Sequence, residues 1–247
     1  MAGLGTIINV IAIALGAALG VAFGSRLPER TTRTVTDALG LVTLVIGALN
    51  VMALRDQEYV DAVGGGATLL VVLAALMAGG VTGSLLGIEH RLESIGGWLQ
   101  RRFSGETASE SRAQFMEGFV DASLVFCIGP LAIIGALSDG LGRGIDQLLL
   151  KSTMDGFASL AFAASLGWGV AASALSVGVY QGLLTILAVL LGGLLPGAVV
   201  ASITATGGVL LLGVGLRLLQ IRSVPVGDLL PALAIAPVLT ALIMAVA

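Results

Sequence analysis

Long uninterrupted apolar runs limit what this chain can fold into more than any other feature it has. A bilayer core about 30 Å thick is crossed by about 20 mostly apolar helical residues. Eight segments meet that requirement, at roughly 3–23, 36–54, 64–87, 115–137, 154–175, 177–195, 198–218 and 229–247. The runs are apolar on every face, whereas strands of a membrane barrel alternate apolar and polar residues. Hydrophobic residues make up 57% of the chain and charged residues only 11%, against about 25% charged in an ordinary soluble domain. That leaves too little polar surface to coat a soluble enzyme. A net charge of −3 argues against nucleic acid as a partner. The single cysteine, Cys127, cannot form an intramolecular disulfide. The first run lacks a positive flank and is too long for a signal-peptide core, so it reads as a retained span. The sequence thus predicts an all-α polytopic membrane helix bundle, with about eight transmembrane helices in a single domain over 1–247.

The basic residues give this reading an orientation, because Lys and Arg are retained in cytoplasmic loops. Arg26, Arg30, Arg33, Arg91, Arg101, Arg102, Arg112, Arg217 and Arg222 fall in odd-numbered connections. Arg55, Arg143 and Lys151 fall in even-numbered ones, among Asp56, Glu58, Asp61, Asp139 and Asp146. The split places both termini outside the cytoplasm. Residues 88–103 are too polar to span. Ile88, Leu92, Ile95, Leu99 and Phe103 recur at helical spacing beside Trp98, which predicts an amphipathic helix on the cytoplasmic interface. Residues 104–112 read as a cytoplasmic loop, and His90 as a solvated residue on the polar face.

Two internal likenesses suggest repeats. DALGLVTLVIGALN (37–50) aligns without gaps with TATGGVLLLGVGLR (204–217), and ASLVF (122–126) matches ASLAF (158–162). Each pair is offset by an odd number of spans, so its members would cross the membrane in opposite directions. Helix-weakening residues follow both ASLxF motifs, which predicts broken helices near 129–130 and 167–169. Inverted repeats with interrupted helices are characteristic of transporters, whose sites lie at the breaks. The same matches also arise from shared membrane-helix composition. Gly16, Gly20 and Gly24, and Gly79, Gly83 and Gly87, recur every four residues, a spacing that lets helices pack closely and offers a face for a homo-oligomer.

Ionisable groups at membrane depth are costly and mark candidate sites. Asp121, Ser123 and Cys127 lie on the fourth predicted span, and Asp155, Ser159 and Ser165 on the fifth. Together they form the candidate substrate- or ion-binding set. Glu117, Lys151, Asn9, Asn50 and Gln181 are secondary candidates, with Tyr180 as a further lining residue. Each has a structural alternative. Asp155 can pair with Lys151 at i,i+4 near the interface, Asp37 can meet a helix dipole, and the neutral polar groups can join helices. No HExxH, GxSxG, P-loop or paired-cysteine spacing occurs, so neither an enzyme nor a cofactor is expected, and the metal question stays open.

EGFVDASLVFCIGPLAIIGALSDG (117–140), KSTMDGFASLAFAASLGWGV (151–170) and YQG (180–182) resemble the prokaryotic membrane family called domain of unknown function 554. GTIINVIAIALGAALG and DALGLVTLVIG fit the same pattern. The resemblance covers nearly the whole chain. It implies a bacterial multi-pass inner-membrane protein and carries no substrate or catalytic residue with it. The leading expectation is a transporter or channel for a small solute or ion, embedded in the lipid bilayer. Its site would lie where Asp121, Ser123, Asp155 and Ser159 converge between the broken fourth and fifth helices. The alternative is a non-transporting scaffold, sensor or partner subunit.

Overall fold

The computed structural model describes residues 2–24, 28–91, 109–127, 130–191 and 196–246. In chain order the helices are α1 (Leu4–Gly24), α2 (Glu29–Val51), α3 (Gln57–Val63), α4 (Ala67–Leu86), α5 (Ser109–Cys127) and α6 (Pro130–Gly140). They continue as α7 (Asp146–Leu166), α8 (Gly169–Leu191), α9 (Gly197–Leu218), α10 (Val226–Leu229) and α11 (Ala232–Val246), and a 3-10 turn (Met52–Arg55) follows α2. No strand occurs among the described residues.

Among the described residues, six helical stretches are long and apolar enough to cross a membrane. They are Leu4–Gly24, Thr36–Arg55, Ala67–Leu86, Gly169–Leu190, Gly197–Leu218 and Val226–Val246. A seventh is formed if Ala113–Cys127 and Leu131–Gly140, which meet at 78°, count as one broken span. Pro130 opens α6, a position that suits a residue without an N–H and where α5 cannot continue. Gly129 lies outside the described residues.

The expected fifth span, 154–175, is replaced by a different division of the chain. Helix α7 begins at Asp146 and ends at Leu166, and α8 begins at Gly169. Gly167 has φ +75°, a region open to glycine and closed to most L-residues. The glycines at 167–169 therefore make a turn between antiparallel helices and not an interruption within one span. Asp146, Lys151 and Asp155 make α7 too polar to qualify by composition. The predicted interfacial helix is described only at 88–91, which are helical, and its remainder lies outside the described residues. Residues 109–112 of the expected loop form the first turn of α5, and 104–108 lie outside the described residues.

The chain forms two compact units. The first comprises residues 1–39, 92–127 and 131–194, and the second residues 40–91, 128–130 and 195–247. In the first, α1 and α7 run parallel, with Gly5 against Leu148, Gly16 against Gly156 and Ser159, Gly20 against Leu160, and Gly24 against Ala164. α5 and α8 form the other parallel pair, with Gly169 against Phe115 and Ser123 Oγ donating to Ser176 Oγ at 3.1 Å. The two pairs are antiparallel to each other, since Gln114 reaches Ser165 and Asn9 reaches Gln181. Small and polar residues of α1 turn inward (Gly5, Thr6, Asn9, Gly16, Gly20), while Ile7, Ile11, Leu15, Leu19 and Phe23 are exposed. Large apolar residues outside and small ones inside invert the soluble pattern and suit close helix packing in lipid. α6 closes one end of this bundle. There the Asp139 carboxylate accepts from the Gly3 and Gly5 amides at 3.1 and 2.9 Å, capping the start of α1.

In the second unit α9 is the central helix, with 72% of its span buried against 22% for Thr36–Arg55, 28% for Ala67–Leu86 and 17% for Val226–Val246. The part of α2 from Gly40 onward packs antiparallel to α9, Gly40 meeting Gly215 and Gly47 meeting Gly208. α4 packs antiparallel to α10 and α11, with Gly79 against Ala232 and Gly83 against Asp228. The glycine stripes of α1 and α4 thus close contacts within the chain. Tyr59 on α3 is fully buried with Val71, Ala198 and Ala201, and its hydroxyl donates to the Thr68 carbonyl at 3.3 Å. Glu89 joins the far end of α4 to α10. Its carboxylate accepts from the Gly227 amide at 2.9 Å and pairs with Arg217 at 3.4 Å, while its own amide donates to Asp228 at 3.0 Å.

Candidate functional site

Inside the first unit, a cluster of polar side chains from three helices lies where the apolar pattern gives no place for them. Lys151 and Asp155 are one helical turn apart on α7, which puts both on the face turned toward α1. The Lys151 ammonium contacts both carboxylate oxygens, at 2.9 Å to Oδ1 and 2.7 Å to Oδ2. The two side chains are only 8% and 9% exposed. This is the i,i+4 pair expected from the sequence, but it is buried and not interfacial. Asn9 Nδ2 on α1 donates to Asp155 Oδ2 at 3.0 Å and to Gln181 Oε1 on α8 at 3.3 Å. Asn9 and Gln181 are fully buried. A carboxylate can only accept, so the Asn9 amide nitrogen must face Asp155. Gln181 must then present its oxygen, because its nitrogen would set two donors face to face. In that arrangement Asn9 Oδ1 and Gln181 Nε2 are buried without a hydrogen-bond partner, as is Thr6 Oγ1 one turn before Asn9. Buried polar groups in native proteins are normally paired, which sets these three atoms apart.

Cys127, at the end of α5, is half-buried and close enough to Lys151 and Asp155 to feel both charges, and Tyr180 on α8 neighbours Cys127. Ser159 is fully buried one turn beyond Asp155, donating to the Gly156 carbonyl at 2.9 Å where α1 crosses closest. A groove of about 380 Å³ between α1 and α8 is lined by Gly3, Thr6, Ile7, Gly182 and Thr185, and it reaches within one turn of Asn9. A second groove, of about 550 Å³, is lined by apolar residues including Val10, Ala14, Phe115 and Trp168.

Of the residues singled out from sequence, the structure brings together Asp155, Lys151, Asn9 and Gln181, with Cys127 and Ser159 beside them. Asp121 is fully buried on α5, six residues before Cys127 and so about 9 Å away along the helix. Ser123 bonds to Ser176, away from the ion pair. The Ser165 carbonyl accepts from Gln114 Nε2 at 2.9 Å at the opposite end of α7. Glu117 is half-buried near the start of α5, and Asn50 lies in the second unit against Gly208. The two breaks do not meet. Gly169 packs on Phe115, whereas the α5–α6 bend follows Cys127, twelve residues or about 18 Å further along α5. The ASLxF motifs do touch, with Phe126 and Phe162 edge to face at 6.1 Å. Asp139 reads in the sequence only as a loop acid and Glu89 is not singled out, because their partners lie more than 120 residues away and leave no local signal.

The family described as Protein of unknown function (DUF554) matches residues 4–241. The chain belongs to that family. It is 31% identical over 214 residues to the uncharacterized protein YqgA of Escherichia coli (strain K12), covering 87% of this chain and 86% of that one. It is 29% identical over 214 residues to the uncharacterized membrane protein YdfK of Bacillus subtilis (strain 168), covering 86% and 84%. No solved structure matches the chain significantly.

Proposed function

We propose that this DUF554 member is a transporter or channel for a small solute or ion in the bacterial inner membrane, with both termini outside the cytoplasm. It would bind and release its cargo without covalent chemistry. Its site is the Lys151–Asp155–Asn9–Gln181 cluster, and the convergence of two helix breaks plays no part in it. The observation that carries this reading is a buried ion pair, joined to two fully buried amides with unused hydrogen-bonding atoms, inside a bundle whose outer faces are apolar. By insertion scales each charge at membrane depth costs about 2.5–3.5 kcal/mol, which is hard to account for by packing alone. The antiparallel course of the matched segments, α2 against α9 and α5 against α7, supports an inverted-repeat origin. α7 lies beside α1 along its whole length, which supports α7 as an additional, polar span.

A scaffold role is favoured by one observation. The faces of α1 and α4 that carry Ile11, Leu15, Leu19, Leu70, Met77 and Val81 are exposed and suit lipid or a second copy. Charge movement on a solid-supported membrane separates the two readings. Proteoliposomes challenged with inorganic ions and small metabolites are expected to give a solute-dependent current that Asp155→Asn abolishes. Folded protein that produces neither current nor tracer uptake across the panel would overturn the transport reading in favour of the scaffold.

A further inference from the structure

The oxygens of the cluster point to the kind of cargo. Asp155 Oδ2 and Gln181 Oε1 come from different helices and converge on a single atom, Asn9 Nδ2, at 3.0 and 3.3 Å. That nitrogen occupies the place a small cation would take between two acceptors. Asn9 Oδ1 has no partner, and half a turn of the Asn9 amide would add it to the set. Three acceptors would then face one another, an arrangement that is stable only around a positive charge. Thr6 Oγ1, also unpartnered, lies one turn before Asn9, and Thr6 lines the groove between α1 and α8.

We infer that the site takes a monovalent cation such as sodium or potassium, held by Asp155, Asn9 and Gln181 in competition with the Lys151 ammonium and the Asn9 amide nitrogen. This deepens the transport reading and rests on it. Charge selects the class. The ammonium already at Asp155 carries one positive charge, so replacing it by a monovalent cation leaves the charge beside the carboxylate unchanged. An anion would have to lie against that carboxylate while Lys151 is engaged by both of its oxygens. Calcium generally calls on about 6–8 oxygen ligands, more than the cluster offers, and no group of three His, Cys, Asp or Glu gathers among the described residues. Lys151 has somewhere to go. It is five residues into α7, so its long side chain, extended along the helix, carries the ammonium toward the exposed start of that helix.

The test is thermal unfolding of the purified full chain in detergent, titrated with sodium, potassium or lithium chloride against choline chloride at constant ionic strength. The wild type is expected to gain cation-specific stability that choline does not give. Lys151→Met removes the competitor and leaves a buried carboxylate without a partner, so its half-saturating cation concentration should fall about tenfold or more. Asp155→Asn should lose the cation-specific shift. Asn9→Asp keeps the shape and turns the competing donor into an acceptor, so it should tighten cation binding in the presence of Lys151 and serves where Lys151→Met does not fold. Equal shifts in choline and alkali salts for wild type and Asn9→Asp would overturn the inference. If currents driven by a neutral solute or anion then persist, transport stands and only the cation assignment falls. Cation-specific shifts with no current or uptake would leave the binding site standing and remove transport.

Discussion

Gly16→Ala decides whether the close α1–α7 contact holds the cluster together. In an unobstructed helix interior this substitution stabilises by about 1 kcal/mol. Here a Cβ would overlap the Gly156 carbonyl oxygen and the Ser159 hydroxyl, with the Gly156 carbonyl carbon only 3.1 Å away. The obstruction is helix backbone, which cannot turn aside as a flexible side chain would. Tilting gives little relief, because Gly20 and Gly24 press equally closely on the Leu160 and Ala164 carbonyls. Overpacking of this kind costs up to about 3 kcal/mol, leaving about 2 kcal/mol of net destabilisation after the helix-propensity gain. For a chain of this length that corresponds to a Tm about 4–8 °C lower. Gly182→Ala is the internal control. It also lies within a long helix, yet nothing stands within 4 Å of its added Cβ, so Tm should hold or rise. Asn9 lies seven residues from Gly16 on the same helix face, about 10 Å along the axis. Forcing α1 off α7 therefore also lengthens the 3.0 Å Asn9–Asp155 bond, and the solute-driven current should fall with Tm. Thermal unfolding of the two variants in one detergent reads the difference, and equal Tm values for Gly16→Ala and Gly182→Ala would refute the contact.

Two further expectations concern the second unit. Glu89→Ala removes the acceptor for the Gly227 amide and the partner of Arg217, and should destabilise by about 1–3 kcal/mol, measured as a lower Tm that Glu89→Gln partly restores. Burial raises the Tyr59 hydroxyl above its usual range near 10, so the folded state keeps this proton longer than the unfolded chain does. Its contribution is complete below the unfolded value and is lost as pH rises through the folded one. Tm should therefore fall more steeply with pH above about 10 in wild type than in Tyr59→Phe, and parallel curves would contradict the burial.

Long apolar runs are self-reporting, because a helix in lipid must be apolar along its whole length. This is why α1, α4 and α9 match the sequence reading to within a few residues. α7 was legible only in part. Composition weighs Lys151 and Asp155 as two charges, whereas in the fold each is the other's partner. The apolar window therefore slid toward 154–175, leaving out Asp146 and Lys151 and running across Gly167. The same locality explains the uneven reading of the site. Lys151 and Asp155 are four residues apart and visible as a pair, while Asn9 and Gln181 are joined to Asp155 only by the packing of α1 and α8. Asp121 stood out as an acid in an apolar stretch, but its burial on α5 could not tell which face of the bundle it would meet.

The cluster divides into parts that respond differently to motion. Lys151 and Asp155 belong to one helix, so their contact survives any rigid displacement of α7. The amide bonds of Asn9 run from α1 to α7 and α8, so they break as soon as those helices part. The charge pair can accordingly persist while the acceptors that complete a cation site are assembled or dispersed by helix movement. Closure is governed where the backbones are closest, at Gly16, Gly20 and Gly24. The small residues of α1 and its one buried amide thus serve a single purpose. The glycines bring α1 close enough to α7 for the short Asn9 side chain to reach Asp155, and a larger residue at any of the three would leave the carboxylate to Lys151 alone.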